Sequence, residues 1–281
     1  MTKILAALLL LSMATTAGAQ PQVTNGDVRQ ATVSGALTRA SLDALASKSG
    51  IAWLAYAVPI VEGERWICDG MNIGNGVSFR TGAGPQAGRT GGVMMLEGAR
   101  QVWVLYRLDA GRVDRIRIAS EDCTLDAGGL TVNWLSNVSS ADSVAVLSSF
   151  LTPSSSNRLA DGALTALAMH RDQAALERLL VTARDGATTH LRGQALFWLS
   201  QRAGDKAIGA ISSAIANDPE TEVKKRAVFA LSQLPKDEGV PRLIEVARTN
   251  ANPAVRKQAM FWLGQTRDPR AVRFFEEILF K

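Results

Sequence analysis

The stretch AVRKQAMFWLG at residues 254–264 decides the fold of the C-terminal half, because two earlier stretches of the chain closely resemble it. Residues 222–232 read EVKKRAVFALS and residues 190–200 read HLRGQALFWLS, so the spacing is 32 residues each time. Self-similarity at a fixed period of this size is the sequence signature of stacked helical repeats. We therefore expect a repeat array in this half of the chain.

Apolar residues fall into columns when the C-terminal half is aligned at this period. Two columns, four residues apart, hold Ala163, Ala195, Ala227 and Ala259, and Leu167, Leu199, Leu231 and Leu263. A second segment of each unit holds the column Leu176, Ile208, Val240 and Val272. Apolar spacings of three and four residues indicate one face of a helix. Each unit is therefore predicted to be a helix, a turn and a second helix, and stacked units form a solenoid.

Two further columns concern helix ends and aromatic residues. The second helices are predicted to begin at N-caps supplied by Asp172, Asp205, Asp237 and Asp268. An aromatic column in the first helices consists of Phe197, Phe229 and Phe261. Trp198 and Trp262 follow two of these residues. Since both tryptophans lie inside the apolar pattern of the first helix, we expect them in the core.

The pattern V-R-x-x-A-x-x-x-L at residues 255–263 resembles the short HEAT repeats of phycobilisome-lyase-like proteins. The resemblance covers about 157–281 and divides the region 158–281 into repeats near 158–189, 190–221, 222–253 and 254–281. It implies an all-α, right-handed solenoid of four helix pairs with one concave and one convex face. Families with this fold mostly bind other proteins, and some of their members are enzymes.

The enzyme alternative depends on the same resemblance. Deoxyhypusine hydroxylases, a related HEAT family, hold iron through His-Glu pairs that recur across helices. This chain has two histidines, His170 and His190, and they precede Arg171 and Leu191 instead of glutamate. A metal site needs several convergent ligands. We therefore expect no catalytic residue, metal or cofactor, and lyase or oxidoreductase activity remains an alternative by family resemblance.

Basic side chains on the second helices are the candidates for partner binding, because these helices line the concave face in HEAT arrays. The candidates are Arg178, Arg184, Arg242 and Arg248. A second basic column lies near the start of the first helices and consists of Arg192, Lys224 and Arg256. Such a column either contacts an acidic partner or pairs with acidic and carbonyl groups of the neighbouring repeat. We favour the structural role for this column.

Residues 20–151 lack the period and contain more glycine and β-branched residues. They predict a β-rich α+β domain of unknown role, joined to the repeats by a linker, TPSSSN, at 152–157. Its predicted elements are a serine-capped helix at 41–49, a strand at 51–61, hairpin strands at 102–108 and 113–118, and a helix at 139–151. A pocket in this domain would make the protein a ligand-binding sensor, which is a second alternative.

The hairpin pattern also predicts which side chains face solvent. Alternation along 113–118 places Asp114, Ile116 and Ile118 on one face. Arg115 and Arg117 fall on the other face, and we expect this basic pair in solvent.

The first nineteen residues are typical of a signal peptide. Lys3 precedes an apolar run at 4–11, and Ala-Gly-Ala at 17–19 predicts cleavage before Gln20. A membrane span needs about twenty apolar residues, so we expect no transmembrane segment. The protein is therefore predicted to be exported, either to a periplasm or to the cell exterior.

Only two cysteines occur, Cys68 and Cys123. In an oxidising compartment a disulfide between them is the leading interpretation, and buried free thiols or a redox pair are the alternatives. In the chain-entropy model, a loop of this size would stabilise the fold by roughly 4 kcal/mol. The net charge of +5 is spread along the chain without a block of like charges, so we do not expect nucleic acid as a partner.

The last predicted helix is very apolar and includes Phe274, Phe275, Ile278, Leu279 and Phe280. Terminal repeats usually turn a polar face to water. We expect these side chains to pack backward onto the array, and contact with a partner or a second copy of the chain is the alternative.

The motifs AWLAYAVP, SEDC, LDAGG and NWL of residues 52–135 resemble those of exported bacterial HEAT-repeat proteins with a β-rich N-terminal domain of unknown function. The sequence as a whole predicts an exported scaffold or adaptor that binds protein partners through its solenoid. It identifies neither the partner nor a ligand.

Overall fold

The computed structural model describes residues 22–61, 100–121, 123–202 and 204–280. The predicted signal peptide at 1–19 and Cys68 lie outside these residues. Within the described ranges, the N-terminal part forms two helices, α1 (Arg39–Ser49) and α2 (Ser140–Ser148). Its strands are β1 (Gln22–Thr24), β2 (Val28–Ala31), β3 (Ala52–Pro59), β4 (Gln101–Asp109), β5 (Arg112–Ser120), β6 (Thr124–Asp126) and β7 (Val132–Leu135).

Five of these strands form one mixed sheet in the order β2-β7-β3-β4-β5. β7 is parallel to both β2 and β3, and β4 is antiparallel to both β3 and β5. The predicted hairpin is β4 and β5, joined by Ala110 and Gly111, which both have positive φ. Two-residue hairpin turns need this backbone conformation because its twist matches that of the strands. β1 and β6 form a separate parallel pair.

Both faces of the sheet are covered, as the strongly apolar β3 and β4 require. Tyr56, Tyr106 and Ile116 belong to a core that includes residues of α1, α2 and the solenoid. Trp53 and Trp103 belong to a second core on the opposite face, together with residues of β6 and β7. Period-two alternation therefore sends successive residues of each strand into two different cores.

Two details of the N-terminal part differ from the predictions. The predicted helix at 41–49 begins earlier, because Thr38 is its N-cap and forms a reciprocal capping box with Ser41. In the hairpin, Arg107 pairs with Arg115 and Leu108 pairs with Val113, so Asp114 is the extra residue of a β-bulge.

The bulge changes the environment of the hairpin side chains. Asp114 contacts Arg107 at 3.9 Å instead of sharing the face of Ile116. Arg115 and Arg117 are partly buried rather than exposed, so the prediction that the pair lies in solvent was wrong.

The C-terminal part confirms the predicted array of helix pairs. Its described helices are α3 (Asn157–Met169), α4 (Gln173–Asp185), α5 (Thr189–Arg202), α6 (Asp205–Asn217), α7 (Thr221–Ser232), α8 (Lys236–Thr249), α9 (Pro253–Gln265) and α10 (Pro269–Leu279). The first helices pack on one another, and each second helix before the last contacts the first helix of the next pair. Repeated short-range contacts of this kind define a solenoid.

The predicted N-caps are confirmed in two of the four second helices. Asp172 accepts a hydrogen bond from the N–H of Ala174, and Asp268 accepts one from the N–H of Arg270. Asp205 and Asp237 instead lie in the first turns of α6 and α8. An acidic residue still stabilises a first turn there through the helix dipole.

The sheet and the first helix pair share one continuous core. A Cβ atom on Gly162 of α3 would lie 2.5 Å from the carbonyl oxygen of Ile116 in β5, so glycine permits this close approach. At the end of α3, the N–H of Val61 donates to the Met169 carbonyl at 2.8 Å. The boundary predicted at 152–157 therefore lies between two parts that are packed together.

Candidate functional site

The four arginines proposed for partner binding lie on α4 and α8, and two of them are partly buried. Arg178 is one of these, and its buried Nε has no hydrogen-bond partner in the described part of the chain. Arg242 donates from Nη1 to the Glu238 carbonyl at 2.8 Å. Neither guanidinium is fully presented to solvent.

The other two candidates are more exposed and form ion pairs. Arg184 contacts its neighbour Asp185 at 2.8 Å. Hydrogen bonding between them raises the pKa of Arg184 and lowers the pKa of Asp185. Arg248 pairs with Glu277 of α10, and its guanidinium lies 5.2 Å from the centre of the Phe274 ring. These two arginines therefore offer exposed charge at the ends of α4 and α8.

Each member of the basic column of the first helices bonds to the turn that precedes its own helix, and Arg192 also bonds to the turn that precedes the next first helix. Arg192 donates to the Gly186 carbonyl at 2.9 Å, and its Nε lies 2.7 Å from the Asp218 carboxylate. Lys224 donates to the carbonyl of Ala216 at 2.9 Å. All of these acceptors lie at or near the C-terminal end of a second helix, where carbonyls lack helical partners.

The third member of the column follows the same pattern. Arg256 donates from Nη1 to the carbonyls of Asn250 and Ala251, at 2.8 and 3.0 Å. The column therefore bonds each first helix to the end of the preceding second helix, and Arg192 in addition bonds α5 to the end of α6. The Arg192–Asp218 pair is the most deeply buried of these contacts, with 12% and 5% of the two side chains exposed.

The two histidines lie apart and have different partners. His190 contacts the Asp161 carboxylate through Nε2 at 2.7 Å. His170 is fully buried at the junction of the sheet and the solenoid. Its Nδ1 accepts from the N–H of Asp172 at 3.3 Å, and burial lowers its pKa from 6.5 to about 4. No group of three or more metal-ligating side chains occurs among the described residues.

Three hydroxyl groups meet inside the N-terminal core. The Tyr56 hydroxyl lies 2.9 Å from that of Tyr106 and 3.0 Å from that of Ser143 in α2. Burial raises the pKa of Tyr56 to about 12 and the pKa of Tyr106 well above its usual value. Both tyrosines are therefore protonated at neutral pH, and their hydrogen bonds join the sheet to α2.

The sequence showed the aromatic column of Phe197, Phe229 and Phe261 but did not predict a site there. Phe261 is exposed and the other two phenylalanines are half-buried. None of the three belongs to the hydrophobic cores of the described residues, whereas Trp198 and Trp262 pack against one. Rings of Phe197 and Phe229 are nearly parallel, with centres 6.0 Å apart. Trp262 continues the row, 4.9 Å from Phe229 and 5.0 Å from Phe261.

An amide column lies one helical turn beyond the aromatic column and consists of Gln201, Gln233 and Gln265. Residues four apart on a helix share a face, so each phenylalanine has a glutamine beside it. Gln201 and Gln233 contact the neighbouring serine hydroxyls at 3.4 and 3.1 Å. The motif that would have revealed both columns is F-x-L-x-Q, which occurs as FWLSQ, FALSQ and FWLGQ.

The last helix packs backward only in part, because Phe274 and Phe275 contact the core whereas the side chains after them are exposed. Phe274 is buried, but Leu279 and Phe280 are 74% and 87% exposed. Val272 is 53% exposed, whereas its equivalent Val240 is 1% exposed. In earlier pairs the next repeat covers this column, and no described helix follows α10. The end of the described array is therefore an apolar stacking surface.

A family model described as HEAT repeats matches residues 208–280, the last part of the described array. These residues are therefore similar to HEAT repeats. No curated protein matches the chain significantly. Two solved structures are similar to part of the chain.

The first of these structures is the complex of CpcE and CpcF of phycocyanin lyase from Nostoc sp. PCC7120. It has 18% identity and a TM-score of 0.39, over 50% of this chain and 91% of that chain. The second is human deoxyhypusine hydroxylase in complex with glycerol, with 19% identity and a TM-score of 0.35. That match covers 48% of this chain and 43% of the hydroxylase chain.

None of the helices in the described ranges is both long and apolar enough to cross a bilayer. The sheet-containing part, residues 22–151, lies outside the HEAT family match. The family match therefore covers only helices of the C-terminal array.

Proposed function

We propose that the protein is an exported scaffold or adaptor whose HEAT repeats bind protein partners. The observation that carries this proposal is the recurrence of surface side chains at equivalent positions of successive repeats. A solenoid with such repetition offers an extended surface that a chain-like partner contacts at several points. The exposed arginines at the ends of α4 and α8 pair with acidic neighbours in the chain, and carboxylates of an acidic partner would compete for these guanidinium groups.

Export belongs to the proposal and rests on the signal-peptide pattern of residues 1–19. The N-terminal sequence of the protein recovered outside the cytoplasm tests it, and we expect that sequence to begin at Gln20. A disulfide between Cys68 and Cys123 is part of the same proposal. Denatured, unreduced protein should then show no reactive thiol, and two reactive thiols per chain would contradict the disulfide.

Chemical crosslinking in the exported compartment, followed by purification of the intact protein, tests the binding function. The comparison variant carries Arg184→Glu and Arg248→Glu, because these side chains are exposed whereas Arg178 and Arg242 are partly buried. Circular dichroism of both proteins checks that the substitutions leave the helices intact. A partner that the intact protein captures and the variant loses would support a binding surface on the second helices.

The other outcomes test the adaptor function and the contact residues separately. If both proteins capture the same partner, the protein is an adaptor but the arginines are not its contact. If neither protein captures a partner, the scaffold proposal fails.

A further inference from the structure

The outward side of the first helices carries two parallel rows of side chains along the axis of the solenoid, with two cations beside them. One row is the aromatic column, and the other, the amide column, lies one turn toward the C-terminal ends of α5, α7 and α9. Arg226 and Lys257, at different positions of their repeats, lie one turn toward the N-terminal ends of α7 and α9, and both are exposed. Neither forms an ion pair within the described part of the chain. The rows form a surface with a cationic edge, an apolar centre and an amide edge.

These residue types suit an extended polypeptide. A glutamine amide offers one acceptor and two N–H donors, so it can bond to a main-chain peptide group. Side chains two residues apart on an extended strand lie about 6.6–6.8 Å apart and point the same way. The Phe197 and Phe229 rings are separated by 6.0 Å. The spacing of alternate apolar side chains on a strand is therefore close to the spacing of these two rings.

The first repeat already holds an extended segment on the equivalent surface. Gly162 occupies the position that Gln194, Arg226 and Gln258 occupy in later repeats, and the main chain of β5 lies directly against it. Met169 is equivalent to Gln201, and its carbonyl accepts from the N–H of Val61 just after β3. Later repeats present this surface without a strand from the described part of the chain.

The charge of this surface indicates the composition of the extended polypeptide that it would bind. Arg226 reaches back across the preceding repeat, since a Cβ atom on Gly193 would overlap its side chain. Its guanidinium and the Lys257 ammonium border the aromatic column on the same side. Lys225 is also basic but pairs with Glu222 at 3.0 Å. The surplus of positive charge along this edge favours aspartate or glutamate in the bound segment.

We propose that the aromatic and amide columns of α5, α7 and α9 bind an extended, acidic segment of a partner protein, with apolar side chains at alternate positions. This inference rests on the proposed function and names the surface and the chemistry of the partner. The outward side of the first helices, rather than the arginines of the second helices, is then the principal docking surface.

A defined peptide tests the inference on the full chain. The probe is a fluorescein-labelled synthetic peptide in which Leu and Asp alternate, and its counterpart has Lys in place of Asp. Phe229→Ala removes the central ring, and Gln233→Ala removes an exposed amide with little risk to the fold. Val181→Ala is the matched control, because Val181 is an exposed apolar residue on α4.

We expect the Leu-Asp peptide to bind the intact protein and to bind Phe229→Ala at least about tenfold more weakly. Gln233→Ala should also weaken binding, and Val181→Ala should leave it unchanged. The Leu-Lys peptide should bind more weakly than the Leu-Asp peptide. Absence of binding to the intact protein, or equal binding by all variants, would overturn the inference.

The two proposals fail in different ways. If crosslinking captures a partner that Phe229→Ala and Gln233→Ala retain, the scaffold function stands and this docking surface is wrong. If crosslinking captures nothing, the scaffold function fails, whereas the peptide titration still reports on the surface directly.

Discussion

Acidification should destabilise the junction of the sheet and the solenoid through His170. The ring is fully buried, and its Nδ1 accepts from the N–H of Asp172, so the neutral ring carries its proton on Nε2. That nitrogen is buried without a hydrogen-bond partner among the described residues. Burial is the main obstacle to a positive ring; the Asp172 carboxylate favours the positive ring, and the Arg202 guanidinium opposes it more weakly. The folded protein therefore resists protonation of this histidine.

The size of the effect follows from the pKa of His170, which falls from 6.5 to about 4 on folding. Each unit of pKa difference corresponds to 1.36 kcal/mol, so protonation of His170 can lower the free energy of unfolding by at most about 3 kcal/mol. Between these two values the unfolded chain binds a proton that the folded chain does not bind. The free energy of unfolding should therefore fall as the pH drops from about 6.5 to about 4, and this contribution should level off below that range.

Urea unfolding of the intact protein and of His170→Asn, at several pH values from 4 to 8, measures this contribution. The asparagine oxygen can still accept from Asp172 but does not titrate, and the carboxylates contribute equally to both proteins. The difference in unfolding free energy between the two proteins should shrink by about 2–3 kcal/mol toward pH 4. His190→Asn should keep the pH dependence of the intact protein. A pH-independent difference between the intact protein and His170→Asn would refute the reasoning.

Three further predictions concern packing, pairing and assembly. Gly162→Ala should lower the free energy of unfolding by about 1–3 kcal/mol, because the added methyl group overpacks against β5. Gly209→Ala in α6, with open space around it, should raise it by about 0.5–1 kcal/mol, and thermal unfolding measures both changes. Arg192→Met leaves the buried Asp218 without its ion pair and should lower the free energy of unfolding by about 3–5 kcal/mol, whereas Lys224→Met at an exposed contact should lower it by less than about 1 kcal/mol. Equal losses in denaturant titrations would show that burial does not determine the strength of these contacts. We expect concentration-dependent self-association through the apolar end, and Leu279→Lys should abolish it in sedimentation velocity; association that survives this substitution would place the contact elsewhere.

The helical half was predictable because its contacts are local and recur. Ala195 and Leu199 reappear at 32-residue intervals, and each contact between repeats needs only neighbouring segments of the chain. The sheet was less predictable, because β7 inserts between β2 and β3 from about 100 residues further along the chain. Local alternation identifies a strand but does not specify its distant neighbours. The bulge at Asp114 was missed for a related reason, since strict alternation assumes an unbroken ladder.

The candidate site was harder to predict because buried and outward residues share the same period. The run Ala195–Trp198 reads as continuous apolar sequence, although successive helical residues are rotated by about 100°. Ala195 faces the core, so Phe197, about 200° away, must face outward. That geometry was available from the sequence, but an apolar residue in a helical pattern is more often part of the core.

The outward phenylalanines are informative because packing within the chain does not require them. Ala163 and Leu167 represent columns whose residues all lie inside the core, where burial explains their recurrence. Phe261 is more than half exposed and its column lies outside that core, so the same explanation does not apply. Exposed apolar rows bordered by polar residues mark interaction surfaces in soluble proteins. The column has Thr165 instead of phenylalanine only in the first repeat, where β5 lies against the neighbouring Gly162 and covers this surface. Because the phenylalanines occur only where no described strand covers the surface, docking explains them better than internal packing does.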